Sequence, residues 1–84
     1  MIREIALVDF LRQLVNTRQT GYDYSMYRYD YYYVVNLISP KIGSRKEVVQ
    51  VRGEYPYNLS EEKFFELIRQ KFEELKNKYD LVRL

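Results

Sequence analysis

The sequence predicts an α+β fold: a small single domain over residues 1–84, arranged as helix, β-hairpin, helix. Three observations predict it. Apolar residues recur with the helical period in two stretches, Ala6 to Asn16 and Glu61 to Tyr79. Between them lies a stretch dense in Tyr and Val, the types that favour a pleated strand. Pro and Gly fall where such a chain must turn, at Pro40, Gly43, Gly53 and Pro56.

In the first stretch Leu7, Val8, Phe10, Leu11, Leu14 and Val15 share one side of a helix, with Asp9, Arg12, Gln13 and Asn16 opposite. Residues 1–5 fit that wheel badly and are expected to be a frayed turn or a short strand. Thr20 and Gly21 supply the stop, because glycine accepts the left-handed conformation that ends many helices. From Tyr22 to Ile38 a long strand is expected, with the uncharged odd positions Tyr27, Tyr29, Tyr31, Tyr33, Val35 and Leu37 on the core. Ser39 to Ser44 form a loop, and Glu47 to Arg52 return as a second strand, so a hairpin is the economical pairing.

Gly53 to Asn58 read as a connection, after which Asn58 or Ser60 can cap the second helix. That helix carries the stripe Phe64, Phe65, Ile68, Phe72, Leu75 and Tyr79, with Glu61 and Glu62 at its positive end and Lys76 and Lys78 at its negative end. Leu81, Val82 and Leu84 are apolar enough for a short edge strand or a docking segment. Were Ile2–Val8 and Leu81–Leu84 both strands, the order would become β-α-β-β-α-β, the ferredoxin-like alternative.

Composition excludes more than it assigns. The chain has neither His nor Cys, so the common nucleophile and base dyads, thiolate zinc sites and disulfides cannot be built. The carboxylates of residues 61–74 interleave with Lys and Arg in the manner of a solvated helix face. Gly43-Ser44-Arg45-Lys46 lacks the spaced glycines and following helix of a phosphate loop. No enzyme activity, metal or small-molecule cofactor is expected. A membrane partner is not expected either, since no apolar run approaches the ~20 residues of a spanning helix. The N-terminus carries no secretory pattern, so the expected compartment is the cytoplasm.

The anomaly is aromatic: of ten tyrosines, seven fall between Tyr22 and Tyr33. On the expected long strand, Tyr22, Tyr24, Arg28 and Tyr32 share the even face, beside Lys46, Gln50 and Arg52 of the second strand and near Arg45 in the turn. Tyrosine and arginine are the residues enriched where proteins bind one another, because they bury area and still satisfy their polar ends. A protein partner, including a second copy in a homodimer, is the expected occupant. The alternative is single-stranded nucleic acid, its bases stacked on tyrosines and its phosphates met by Arg and Lys. Charge favours protein: fourteen basic and twelve acidic residues leave a net charge of +2, weak for a phosphate-tracking surface. The glycine- and aromatic-rich strand signature of RNA-recognition domains is not supplied by Glu47–Arg52. Viruses and other mobile elements often encode short chains of unusual composition, an association without physical content.

Overall fold

The computed structural model describes residues 2–54 and 60–83. The chain is α+β, running α1 (Glu4–Val15), α2 (Thr17–Thr20), β1 (Asp23–Arg28), β2 (Tyr32–Ile38), β3 (Val48–Glu54) and α3 (Glu61–Arg83). The strands form one antiparallel sheet in the order β1-β2-β3. The expected pairing of the Tyr-rich stretch with Glu47–Arg52 is present as β2 with β3, but a third strand precedes it. Neither strand of the ferredoxin-like alternative forms: Glu4–Val15 is helical, and Leu81–Arg83 continue α3.

The extra strand arises because the stretch from Tyr22 to Ile38 folds back on itself. Asp30 and Tyr31 make a two-residue reversal, closed by the Tyr29 N–H donating to the Tyr32 carbonyl at 2.9 Å. Among the described residues Asn16 is the one non-glycine with positive φ, so this turn is not of the primed type that Asn-Gly or Gly pairs announce in sequence. Asp30 is a turn-favouring residue, but with no glycine, asparagine or proline beside it the run reads as one strand.

α1 begins two residues earlier than its apolar wheel indicates, and Ile2, lying before the helix, tucks into the core. Leu7, Leu11 and Val15 are its buried stripe, while Ile5 remains 80% exposed. Asn16 ends the helix in the left-handed conformation at φ 46°, one turn before the Gly21 stop at φ 77°. Asparagine is among the few side chains that tolerate this conformation. Thr20 then ties the turn to the first strand: its hydroxyl donates to the Val15 carbonyl at 2.7 Å and accepts from the Tyr22 N–H at 3.1 Å.

α3 is capped by Ser60, whose hydroxyl accepts from the Lys63 N–H at 3.2 Å; the other expected cap, Asn58, and the Tyr55-Pro56-Tyr57 connection lie outside the described residues. Phe64, Ile68, Phe72 and Leu75 are buried, and Phe65 and Tyr79 pack half-buried beside them, as the stripe predicts. Because the helix continues to Arg83, Lys76 and Lys78 do not sit at its end. Lys78 instead reaches Glu47 at 3.1 Å, and Lys76 pairs with Glu73 at 2.8 Å.

Both long helices cover one face of the sheet. Cross-strand rows on that inner face are Tyr24, Leu37 and Val49; Met26, Val35 and Val51; and Arg28, Tyr33 and Gly53. At the third row the missing side chain of Gly53 makes room for Phe64. A Cβ on Gly53 would stand 2.5 Å from the Phe64 ring, and Phe64 is fully buried. Phe10 of α1 stacks on Phe65 of α3 with ring centroids 4.3 Å apart and planes within 5°. Edge-on contacts of Tyr22 with Phe72 and Tyr79, at 5.2 and 5.6 Å, close the other end of the core.

The N-terminal segment is also clamped to α3. The Arg3 guanidinium grips Glu61 with both arms, at 2.7 and 3.0 Å, and the Arg3 N–H donates to the same carboxylate at 3.1 Å. These hydrogen bonds hold the Glu61 carboxyl down to about 2 and raise the Arg3 guanidinium.

Two outcomes are expected. Gly53→Ala should cost about 1–3 kcal/mol, the range for overpacking a filled core, and Phe64→Leu introduced with it should recover part of the loss; urea unfolding of the two single variants and the double variant measures this. Glu61 is ionised in the folded chain well below its ordinary 4.5, so its stabilisation is present above that value and is lost as pH falls toward about 2. The thermal midpoint of the parent chain should exceed that of Glu61→Gln at neutral pH and converge on it across that window. A difference independent of pH would exclude the clamp.

Candidate functional site: the outer face of the sheet

The outer face is built of four cross-strand rows. At the hairpin tip Tyr29 and Tyr32 pair beside the closing turn. Tyr27, Val34 and Arg52 form the next row, then Ser25, Asn36 and Gln50, then Asp23, Ile38 and Val48. Neither long helix lies on this side, since both pack against the inner rows.

The parity of pairing decides which side chains arrive here. The turn at Asp30 and Tyr31 joins even positions of β1 to odd positions of β2, whereas β2 and β3 pair even with even. The face expected for β2 and β3 is therefore correct, and that expected for β1 is inverted. Of the anticipated surface residues, Tyr32, Gln50 and Arg52 stand on the outer face. Tyr22 is buried in the core, Tyr24 is half-buried against it, and Arg28 shares the inner face with Tyr33, although its side chain remains exposed. Arg45 and Lys46 belong to the loop beyond the last row. Arg45 closes a tight turn with Ile42, in which Gly43 has φ 64°, and pairs with Glu47 at 3.4 Å. Tyr27, Tyr29 and Tyr31, expected in the core, are 53%, 49% and 71% exposed.

Sequence reading missed Tyr27, Val34, Ser25 and Ile38 as members of this surface. A reversal between Tyr29 and Tyr32 would have supplied Tyr27 and Ser25, whereas Val34 and Ile38 already stood at even positions of β2 and went unnamed; no glycine or asparagine stands between Tyr29 and Tyr32 to signal the turn.

The face has three zones. At the tip Tyr29 stacks on Tyr32 with centroids 4.8 Å apart, and the Arg52 guanidinium lies 4.0 Å from the Tyr32 ring centre. The face of the ring thus attracts the cation through its quadrupole. Val34, though on the outer face, is 9% exposed between its row neighbours Tyr27 and Arg52. In the middle, Gln50 Nε2 donates to Asn36 Oδ1 at 3.2 Å and Asn36 Nδ2 donates to Ser25 Oγ at 3.1 Å, a polar ladder across all three strands. In the last zone Ile38 and Val48 are apolar beside the exposed Asp23, and Val48 is well exposed.

Among the described residues no group of three or more carboxylates could hold a metal ion, and no helix is long and apolar enough to cross a membrane. A shallow depression of about 410 Å³ along α1 is lined by Arg3, Ile5, Ala6, Val8, Asp9 and Arg12. It brings one carboxylate near two guanidiniums and assembles no nucleophile with a base. No protein-family model, curated protein or solved structure matches the chain.

Exchange of the two sheet faces is testable on dilute protein. Tyr22→Ala should cost about 3–5 kcal/mol, as removal of a large buried aromatic does, and Tyr27→Ser should cost no more than about 1 kcal/mol, the span of strand propensity at a half-exposed position. Comparable losses at both positions in urea unfolding would contradict the register.

Proposed function

We propose that this chain is a non-enzymatic binding module whose working surface is the outer face of its sheet, and that the partner is a protein. The observation that carries the reading is the tip of that face. Exposed Tyr27 and Tyr29 flank a Tyr32 ring against which Arg52 is already fixed. Ordering a long side chain costs about 0.5–1.5 kcal/mol on association, and the stack meets part of that cost in advance. Buried aromatic and arginine anchors supply most of the energy in protein interfaces.

The chemistry of the remaining face points the same way. Its middle is a neutral row, Ser25, Asn36 and Gln50, whose side chains are hydrogen-bonded to one another, and its far end is aliphatic. Among the outward side chains described, Arg52 and Asp23 carry charge, one of each sign. A groove that tracks phosphates needs several cations in line.

The discriminating experiment pairs two measurements. Photocrosslinked partners of the parent chain should be lost from Tyr27→Ala and Arg52→Ala, both folded by circular dichroism. Fluorescence polarisation with single-stranded and duplex oligonucleotides at two salt concentrations should register no binding. Micromolar or tighter binding that weakens steeply with salt would replace the protein reading by the nucleic-acid one, with Arg52→Ala lowering the salt slope by about 1.

A further inference from the structure

Besides its outer face the sheet has two edges, at β1 and at β3. Which backbone groups lie along the β1 edge follows from the hairpin closure. Tyr29 and Tyr32 are a hydrogen-bonded pair, and hydrogen-bonded and non-bonded pairs alternate along antiparallel strands. Tyr27, Ser25 and Asp23 therefore turn their N–H and C=O groups to β2. Tyr24, Met26 and Arg28 turn theirs outward. Of these the Tyr24 N–H has a local acceptor, the Asp23 carboxylate at 2.7 Å.

Natural sheets protect such edges with proline, a bulge, lysine or a covering segment. β1 has no proline or lysine, and its pairing with β2 runs without a bulge from Asp23 to Arg28. The core is also thin here. Val35 and Leu37 of β2 are fully buried, whereas Met26 and Tyr24, their row neighbours on the same inner face, are half-buried. Arg28 ends the strand exposed, with no ion pair among the described residues.

We propose that β1 pairs antiparallel with β1 of a second copy of this chain about a two-fold axis at Met26, joining two sheets into one of six strands. A two-fold axis normal to the sheet pairs residues of like parity. Centred on Met26, it uses every outward-turned residue: Met26 faces its own copy, and Tyr24 faces Arg28 in both directions. The pairing forms about six main-chain hydrogen bonds, in two of which the Tyr24 N–H exchanges the Asp23 carboxylate for the partner's Arg28 carbonyl. Each Arg28 guanidinium comes beside a Tyr24 ring, a cation–π partner of the kind Arg52 already has in Tyr32. Met26 meets Met26 over the exposed rim of both cores. An isologous contact of this kind closes after two copies and leaves no β1 edge open.

Centring on a different residue would leave one outward-turned group on each copy without an opposite. The outer edge of β3 is the poorer candidate, because its cation, Arg52, is already engaged with Tyr32.

This inference goes beyond the outer-face reading and is separable from it. Light scattering of the full chain at high micromolar concentration should give twice the monomer mass. A full-length chain N-methylated at the Met26 amide loses an outward donor and keeps every β1–β2 hydrogen bond, so it should be folded by circular dichroism and monomeric. Met26→Cys should form a covalent dimer under mild oxidation, since hydrogen-bonded antiparallel residues stand about 5.5 Å apart, within disulfide reach; Gln50→Cys, on the outer face, should not. A monomeric parent chain overturns the inference. So does a dimer that survives N-methylation or crosslinks through Gln50→Cys. In each of those cases the outer-face reading is decided separately, by whether Tyr27→Ala and Arg52→Ala lose the captured partner.

Discussion

Between hydrogen-bonded Tyr29 and Tyr32 the chain reverses in two residues, and that reversal sets the side on which every residue of β1 stands. A strand has side chains on alternate faces, so a loop one residue longer or shorter would exchange the faces of β1. Tyr24 and Met26 would leave the core, and Tyr27 would enter it. The pairing is fixed by more than the turn. Met26 and Tyr24 have apolar neighbours on the inner side, and Asn36 on the outer side finds Ser25 in one direction and Gln50 in the other. A slip of one residue would separate the hydrogen-bonding side chains from one another and turn the apolar ones to water.

The inner face is where the helices are held. Gly53 contributes by having no side chain, and Phe64 occupies the space above it. Burying a ring of that size stabilises the fold by about 1.5–3 kcal/mol, and it sets how closely α3 approaches β3. At the far end of the hairpin strands Ser39 is buried and closes the ladder, accepting from the Glu47 N–H at 2.8 Å and donating to the Pro40 carbonyl at 2.9 Å. With α1 and α3 both committed to one side, the opposite side keeps its tyrosines in water.

Much of this was legible in the residues, and the reasons differ by element. The stripe from Phe64 to Tyr79 identifies α3 because a helix of that length repeats its period several times, and the parity of β2 and β3 is readable because Asn36 separates Val35 from Leu37 and Gln50 separates Val49 from Val51. β1 was not legible as a separate strand: Tyr27 to Tyr33 alternates through the turn without a break, and tyrosine suits either face of a sheet. The site inherited that ambiguity. Tyr32, Gln50 and Arg52 were placed on the outer face by strand period alone, while Tyr22, Tyr24 and Arg28 required knowledge of a hydrogen bond that no residue type announces. Helix ends were blurred for a related reason. Asn16 ends α1 through a backbone conformation, and Ile2 is buried from outside the helix, where a helical wheel does not apply.

The clamp between Arg3 and Glu61 joins residues 58 positions apart, and the stack of Phe10 on Phe65 lies beside it in the same long-range contact. During synthesis α1 is made before α3, so its apolar stripe of Leu7, Leu11 and Val15 has only the sheet to pack against until the helix that begins at Glu61 has emerged. Contacts of such high sequence separation close late and slow folding. The nascent chain therefore spends most of its elongation with an amphipathic helix lacking its main helical partner, the period in which a chaperone or a neighbouring chain has access to that stripe.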